Sequence, residues 1–153
     1  MTQNQIQIRQ ASVDDLDSIA KFNSAMALET EGKILDFNVL HSGVSAVLAS
    51  RTLGFYLVAQ RDDQAVGQLM ITTEWSDWRN GYFWWIQSVY VNPEHRRQGV
   101  FRALYDQVVW EAGQTGDVCG IRLYVDQDNL SAQQVYNDLG MEHSHYFLYE
   151  VEF

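Results

Sequence analysis

Trp84–Leu104 reads WWIQSVYVNPEHRRQGVFRAL, and the fold is decided there. An apolar, aromatic-rich run from Trp84 to Val91 breaks at Asn92-Pro93. A short basic loop follows, His95-Arg96-Arg97-Gln98-Gly99, and then a helical period with Val100, Leu104, Val108 and Val109 on one side. Strand, tight basic turn with a glycine, helix: this order aims a helix N-terminus at a phosphate. The first N–H groups of a helix lack an internal acceptor, and the helix dipole adds positive potential at the same end. Gly99 allows close backbone approach or a positive φ, and Arg96, Arg97 and Arg102 gather cations around it. Neither GxxxxGK[ST] nor GxGxxG occurs, so this is not one of the common nucleotide loops.

Outside that stretch, the chain has the bulk properties of one domain, 1–153, large enough for a substantial core. A composition 46% hydrophobic and 13% aromatic excludes disorder. A net charge of −10 argues against nucleic acid and anionic membranes as partners. It suits a cationic partner, or serves solubility alone. The single cysteine, Cys119, permits no intrachain disulfide and fits a reducing compartment. MTQNQIQIRQ has no apolar leader core, and no run approaches the ~18 apolar residues of a membrane span. A soluble cytoplasmic protein is expected.

Periodicity predicts a first strand over Gln5–Gln10 and a helix capped by Ser12, interrupted at Glu29–Lys33. A second helix is expected over Asn38–Ser50, with Val39, Val44, Val47 and Leu48 inward. Strands follow over Phe55–Gln60 and Ala65–Thr73, joined by a turn at Arg61–Gln64. Glu74–Gly81 reads as a loop ending in Asn-Gly, before the strand Tyr82–Val91. The helix Val100–Gly113, a strand Val118–Asp126, a short helix Asn129–Leu139 closed by Gly140, and a last strand Met141–Phe153 complete the order. The strand–helix–strand unit Tyr82–Asp126 implies a right-handed crossover and a parallel pair.

A second motif lies in the short helix: Asn129-x-x-Ala132-x-x-x-Tyr136-x-x-x-Gly140-Met141. Positions 129, 132 and 136 recur at i, i+3, i+7 and share a face. Together with Val91-Asn92-Pro93-Glu94-His95-Arg96 and Arg96-Arg97-Gln98-Gly99-Val100-Phe101 it resembles the GNAT superfamily of acyl-CoA-dependent N-acyltransferases. That family carries V-x-P-x-x-R, then [QR]-x-x-G-x-[GA], then N-x-x-A-x-x-x-Y-x-x-x-G-F. The resemblance covers essentially the whole chain and implies an α/β (α+β) three-layer fold with a mixed sheet, whose parallel pair splays apart at the cofactor cleft. It implies that amides at Gln98, Gly99 and Val100, with Arg96, Arg97, Phe101 and Arg102 around them, hold the pyrophosphate of acetyl-CoA. Val89, Tyr90 and Val91 would pair with pantetheine like an added strand, with a backbone N–H near Val89–Tyr90 polarising the thioester carbonyl. Asn129 and Ala132 would contact the pantetheine region, and Tyr136 would protonate the departing thiolate. Phe101 stands where the family has Gly or Ala, so its ring must turn into the helix–sheet core or crowd the cofactor. Without the matching Asn129 and Gly140, Tyr136 reads as a residue packing between helix and sheet; with them it reads as functional.

The resemblance also places the acceptor site. Where diamine-acetylating relatives carry a glutamate, this chain has Gln87, which takes no proton at neutral pH. The base is then water, a substrate carboxylate, or one of Glu29, Glu31 and Glu74, which are also the candidates for holding a cationic amine. Four of the five tryptophans fall at 75, 78, 84 and 85. Trp75 and Trp78 either line an acceptor pocket, where cation–π contact with an ammonium is available, or fold onto the sheet or into a dimer contact. His143 and His145 share a face but lack an acidic partner at metal spacing, so no metal is expected. With no nucleophile elbow, direct transfer from acetyl-CoA to a small amine is the simplest reaction. A catalytically silent acyl-CoA-binding or regulatory module, and a protein or peptide N-acetyltransferase, are the rival readings. A homodimer is left open.

Overall fold

The computed structural model describes residues 5–153, which fall into two compact units, 5–123 and 124–153. The first unit opens with β1 (Gln7–Gln10), shorter than the Gln5–Gln10 expected from alternation, and a single 3-10 turn, Val13–Asp15. α1 (Leu16–Glu31), α2 (Phe37–Ala49), β2 (Phe55–Arg61), β3 (Gln64–Ser76) and β4 (Gly81–Val91) follow. A 3-10 turn at Pro93–His95 leads to α3 (Val100–Thr115), and β5 (Val118–Leu123) ends the unit. The five strands form one sheet in the order β1-β2-β3-β4-β5. The first four pair antiparallel, and β4–β5 is the parallel pair that the crossover required.

α3 covers one sheet face. Val100, Leu104, Val108 and Ala112 recur every four residues and are buried with Leu57, Leu69, Ile71, Trp84 and Ile86. Val109, expected on that side, is 45% exposed, because the stripe follows i+4 and 109 sits about 100° off it. Gly67 lets α3 begin close to the sheet: a Cβ there would lie 2.9 Å from Val100 Cγ1. α1 and α2 cover the other face with Ile19 and Val44 packed around Tyr56. Val39, expected inward, is 72% exposed, since it lies in the first turn of α2 beside the Asp36 cap. Two layers of helix thus enclose one mixed sheet.

Of the element ends that differ from the sequence reading, two bear on the candidate site. α1 runs to Glu31 and stops at Gly32, whose φ of 63° forms a left-handed cap. Glu29 and Glu31 are therefore in its last turn, not in a connecting segment. β3 runs through Glu74, Trp75 and Ser76, each paired with β4, so only 77–80 is loop. Branched and aromatic side chains with a partner strand beside them extended the ladder past the expected boundary.

In the second unit, α4 (Leu130–Asp138) starts at the Asn129 cap and is followed by Gly140 at φ 87°. The segment 141–153, expected as a strand, forms none. Its alternation and aromatic content are real, but a strand exists only through ladder bonds, and this unit contains no other strand to supply them. β5 likewise ends at Leu123, short of the expected Asp126.

Candidate functional site

The C-terminal half of β4 departs from regular pairing in a way that exposes backbone. Gln87 stands opposite Met70 and Tyr90 opposite Gln68. Between those pairs β3 supplies one residue, Leu69, and β4 supplies two, Ser88 and Val89: a β-bulge. Ser88 takes the left-handed conformation, φ 53°. The inserted residue reverses the facing pattern. Trp84 and Ile86 point to the α3 core, but beyond the bulge Val89 and Val91 do so, while Tyr90 turns to α1 and meets Phe22 at 5.2 Å. β5 pairs with β4 only from Tyr82 to Ile86. From Gln87 to Val91, β4 has a ladder partner on the β3 side alone among the described residues.

The chain then turns sharply. Asn92 caps the Pro93–His95 turn, accepting from the Glu94 N–H at 3.1 Å. Arg97 at φ 62° and Gly99 at φ 82° reverse the backbone into α3. Gly99 is the N-cap of α3 and offers no side chain to it. Among the described residues, the N–H groups of Gln98, Gly99, Val100 and Arg102 have no acceptor. Among the described residues, no atom beyond Gly99 and its chain neighbours lies within 4 Å of where a Gly99 Cβ would sit, so the space in front is open. Phe101 is partly buried against the α3–sheet core, its ring 6.3 Å from that of Tyr105.

Side chains hold this loop from below. Gln98 donates to the Glu94 carbonyl at 2.9 Å and accepts from Arg61 at 2.6 Å. Arg61 also stands 3.3 Å from His95 Nδ1. Arg96 is not a free cation. Its Nε donates to the Val91 carbonyl at 2.9 Å, and its Nη2 meets Glu29 Oε2 at 2.7 Å. Tyr90 donates to the other Glu29 oxygen at 3.2 Å, and burial, reinforced by that carboxylate, pushes its phenol above the ordinary value. Sequence reasoning had separated these residues, giving Arg96 to the anion and Glu29 to the amine; here they share one ion pair joining α1 to the loop.

The other acceptor candidates are also engaged. Glu74 accepts from Trp85 Nε1 at 2.8 Å and pairs with Arg122 at 3.5 Å. Arg122 in turn lies 3.6 Å over the Phe83 ring. Among the described residues Glu31 pairs only with Lys33, at 3.7 Å in solvent. Gln87 donates to Thr72 Oγ1 at 2.6 Å. Trp75, on β3 and not in a loop, stands edge-on to Tyr82 at 4.9 Å, while Trp78 projects from the turn almost fully exposed. Of the adjacent pair, Trp84 is core and Trp85 faces the opposite way, as strand alternation requires.

In the second unit, Asn129 caps α4: its Oδ1 accepts from the Ala132 N–H and from Ser131 Oγ, each at 3.2 Å. Tyr136 is half-buried, and burial raises its phenol above the ordinary value. Sequence reasoning missed a buried polar chain under the bulge. Gln68 has no exposed surface and joins Asn23 on α1 to the Ser88 carbonyl. Its signal was one amide in the otherwise apolar run Ala65–Ile71.

Comparison with known proteins agrees with this geometry. The model of the acetyltransferase (GNAT) family matches residues 22–141. A solved structure described as a possible acetyltransferase from Clostridium difficile 630 is 48% identical, with TM-score 0.91 and 97% of each chain covered. A protein described as a predicted acetyltransferase from Clostridium acetobutylicum, solved with acetyl-CoA, is similar in fold at 19% identity, TM-score 0.78, with 96% of each chain covered. So is AAC(6')-Iy in complex with a bisubstrate analogue, CoA-S-monomethyl-acetylneamine: 16% identity, TM-score 0.78, covering 97% of this chain and 99% of that one. No curated protein sequence matches the chain.

Proposed function

This chain belongs to the GNAT acetyltransferase family, and from that premise we propose that it transfers an acetyl group from acetyl-CoA directly to a primary amine of a small, cationic acceptor. One observation carries the donor half. The half-open end of β4 runs into a turn with positive φ at Arg97 and Gly99 and then into a helix start that no side chain caps. Such a start supplies several aligned N–H donors and a positive dipole end, which suits a pyrophosphate. Arg97 and Arg102 stand beside it; Arg102 is tied to Asp106 within the helix at 3.1 Å. Arg96 holds the strand end by its bond to the Val91 carbonyl. The edge of Val89–Val91 would take pantetheine, and a backbone N–H at Val89 or Tyr90 would polarise the thioester carbonyl. The family match runs across residue 123, which supports a single domain.

In this reaction the neutral amine attacks the thioester carbon, the tetrahedral intermediate collapses, and the C–S bond breaks to leave a thiolate. Tyr136 is assigned the proton for that thiolate, on its motif and its raised phenol pKa. A phenol kept protonated through mild alkali remains a donor across the working pH range. The amine's own proton goes to water or to a carboxylate. Glu29 and Glu74 are both held by arginines, so water near Glu31, or release before binding, is the simpler route. The acetyl-CoA half is tested by calorimetry. A panel of amines, polyamines, aminoglycosides, amino acids and peptides assayed for thiol release tests the transfer. Binding without turnover on every acceptor would leave a silent acyl-CoA module, and turnover on peptides alone would overturn the small-amine assignment.

A further inference from the structure

We propose that Gln68 is a positioning residue for acetyl transfer: its buried amide holds the Ser88 carbonyl and thereby sets the direction of the Val89 N–H. The inference rests on the acetyltransferase reading above. Gln68 Nε2 donates to the Ser88 carbonyl at 3.2 Å and to Asn23 Oδ1 at 2.9 Å. Asn23, itself buried, faces the buried Tyr56 hydroxyl at 3.4 Å. One polar chain therefore connects α1, β2 and β3 to the bulged residue of β4. Gln68 Oε1 is buried with no partner among the described residues. An amide that leaves one oxygen unpaired is a poor choice for stability alone, where Met or Leu would fill the same volume.

What the amide gains is control of one peptide plane. The Ser88 carbonyl and the Val89 N–H belong to the same trans peptide and point in opposite directions. Fixing the carbonyl on Gln68 therefore aims the Val89 N–H away from Gln68. Ser88 is where this control is needed, because a serine at φ 53° sits in a sparsely populated region that persists only where surrounding contacts hold it. Regular ladder bonding does not do it: the bulge places Ser88 and Val89 together opposite Leu69. Of the two N–H groups offered to the thioester carbonyl, at Val89 and at Tyr90, the proposal selects the one so aimed, at Val89. Most of the acetyl-CoA affinity, by contrast, is assigned to the loop and the start of α3, with which Gln68 makes no hydrogen bond.

The test is Gln68→Met, assayed for kcat with a saturating acceptor and for acetyl-CoA Kd by calorimetry. The expected result is a kcat lower by about 10–100-fold with Kd within about twofold of wild type. Unchanged kcat, or a Kd that weakens in parallel with kcat, overturns the proposal. Gln68→Glu supplies a readout that packing alone would not move. A neutral carboxyl donates to the Ser88 carbonyl and a carboxylate repels it, so kcat relative to wild type should fall as pH rises, while the Gln68→Met ratio stays flat. A flat ratio in both overturns it. If Gln68→Met does not fold, Asn23→Ala frees the other end of the amide, and a kcat loss of about 3–10-fold is expected, on the lower side of a lost donor; no loss sinks the idea. A wild-type protein without turnover on any amine removes the acetyltransferase reading, whereas an active wild type indifferent to Gln68 removes this inference alone.

Discussion

The first helical stretch begins at Ser12 and the third helix at Gly99, and these two starts are built in opposite ways. At Ser12 side chains meet the backbone donors locally. Ser12 Oγ accepts from the Asp14 N–H at 3.3 Å, and the Asp15 carboxylate accepts from the Ser12 N–H at 2.8 Å. Arg9 then closes on both Asp15 oxygens at 2.8 Å each. α2 and α4 follow the same plan with Asp36 and Asn129. At Gly99 no side chain caps the helix, two residues are held at positive φ, and the supporting bonds all come from beneath the loop. A closed start is a stability device; an open one bears donors for something else. The difference separates residues whose loss should unfold the protein from residues whose loss should empty it.

If the capped helices act only through their side chains, the largest effect belongs to Tyr136 on α4. Tyr136→Phe should lower kcat by ~10²–10⁴-fold with acetyl-CoA affinity unchanged. Rapid-quench kinetics under single-turnover conditions would check this, and near-wild-type chemistry would return the residue to packing. The open start is broken directly by Gly99→Trp, which puts a large side chain in the empty space and forces a strained φ. Calorimetry should show acetyl-CoA binding at least ~100-fold weaker, as expected from loss of a shared anion site, in a protein whose circular dichroism is retained. Unchanged affinity would take the loop out of the site.

The closed start predicts the reverse pattern. Asp15→Ala should cost about 2 kcal/mol of stability without altering acetyl-CoA affinity. Its pH dependence has a definite sign. The Arg9 hydrogen bonds hold the Asp15 carboxyl below its ordinary value. A depressed pKa contributes stability that is complete above the unfolded value, near 4, and is lost as pH falls through the folded one. Chemical denaturation between pH 7 and 3 should therefore show wild type converging on Asp15→Ala at the acid end; parallel curves would deny the linkage. The smallest expected effect sharpens the open site. Glu29 neutralises Arg96 at the loop, so Glu29→Gln should tighten acetyl-CoA binding by ~2–5-fold at low salt, with the gain vanishing near 0.5 M salt. Weaker binding would mean that the ion pair's hold on the loop outweighs its charge.

The closed ends were the easier half to read from sequence. Ser12 and Asp15 lie three residues apart and interact through one turn of backbone, so the capping box is a property of the local string. The same holds for Gly99, for Gly140, and for the i, i+4 stripe of α3. Trp75 and Glu74 were harder: whether a segment continues as strand depends on the neighbouring strand, and β4 extended β3 past the expected loop. The tail 141–153 failed for the converse reason, since it has strand-forming residues and no strand in its own unit to bond. The bulge at Ser88 left no local mark. Nothing in Gln-Ser-Val-Tyr requires two residues to oppose one; that is set by the register across 20 residues of intervening chain.

By itself the sequence determined the order of elements from β1 to α4, the family motifs around Gly99 and Tyr136, and the Ser12 and Gly140 caps, because each of these is written within one or two turns of chain. Tertiary structure alone decided that Arg96 and Glu29, 67 residues apart, neutralise each other, that Arg122 claims Glu74, and that Gln68 reaches the Ser88 carbonyl. Charges and buried amides act over a few ångströms in space with no regard for separation along the chain, and their partners exist only once the sheet has brought them together.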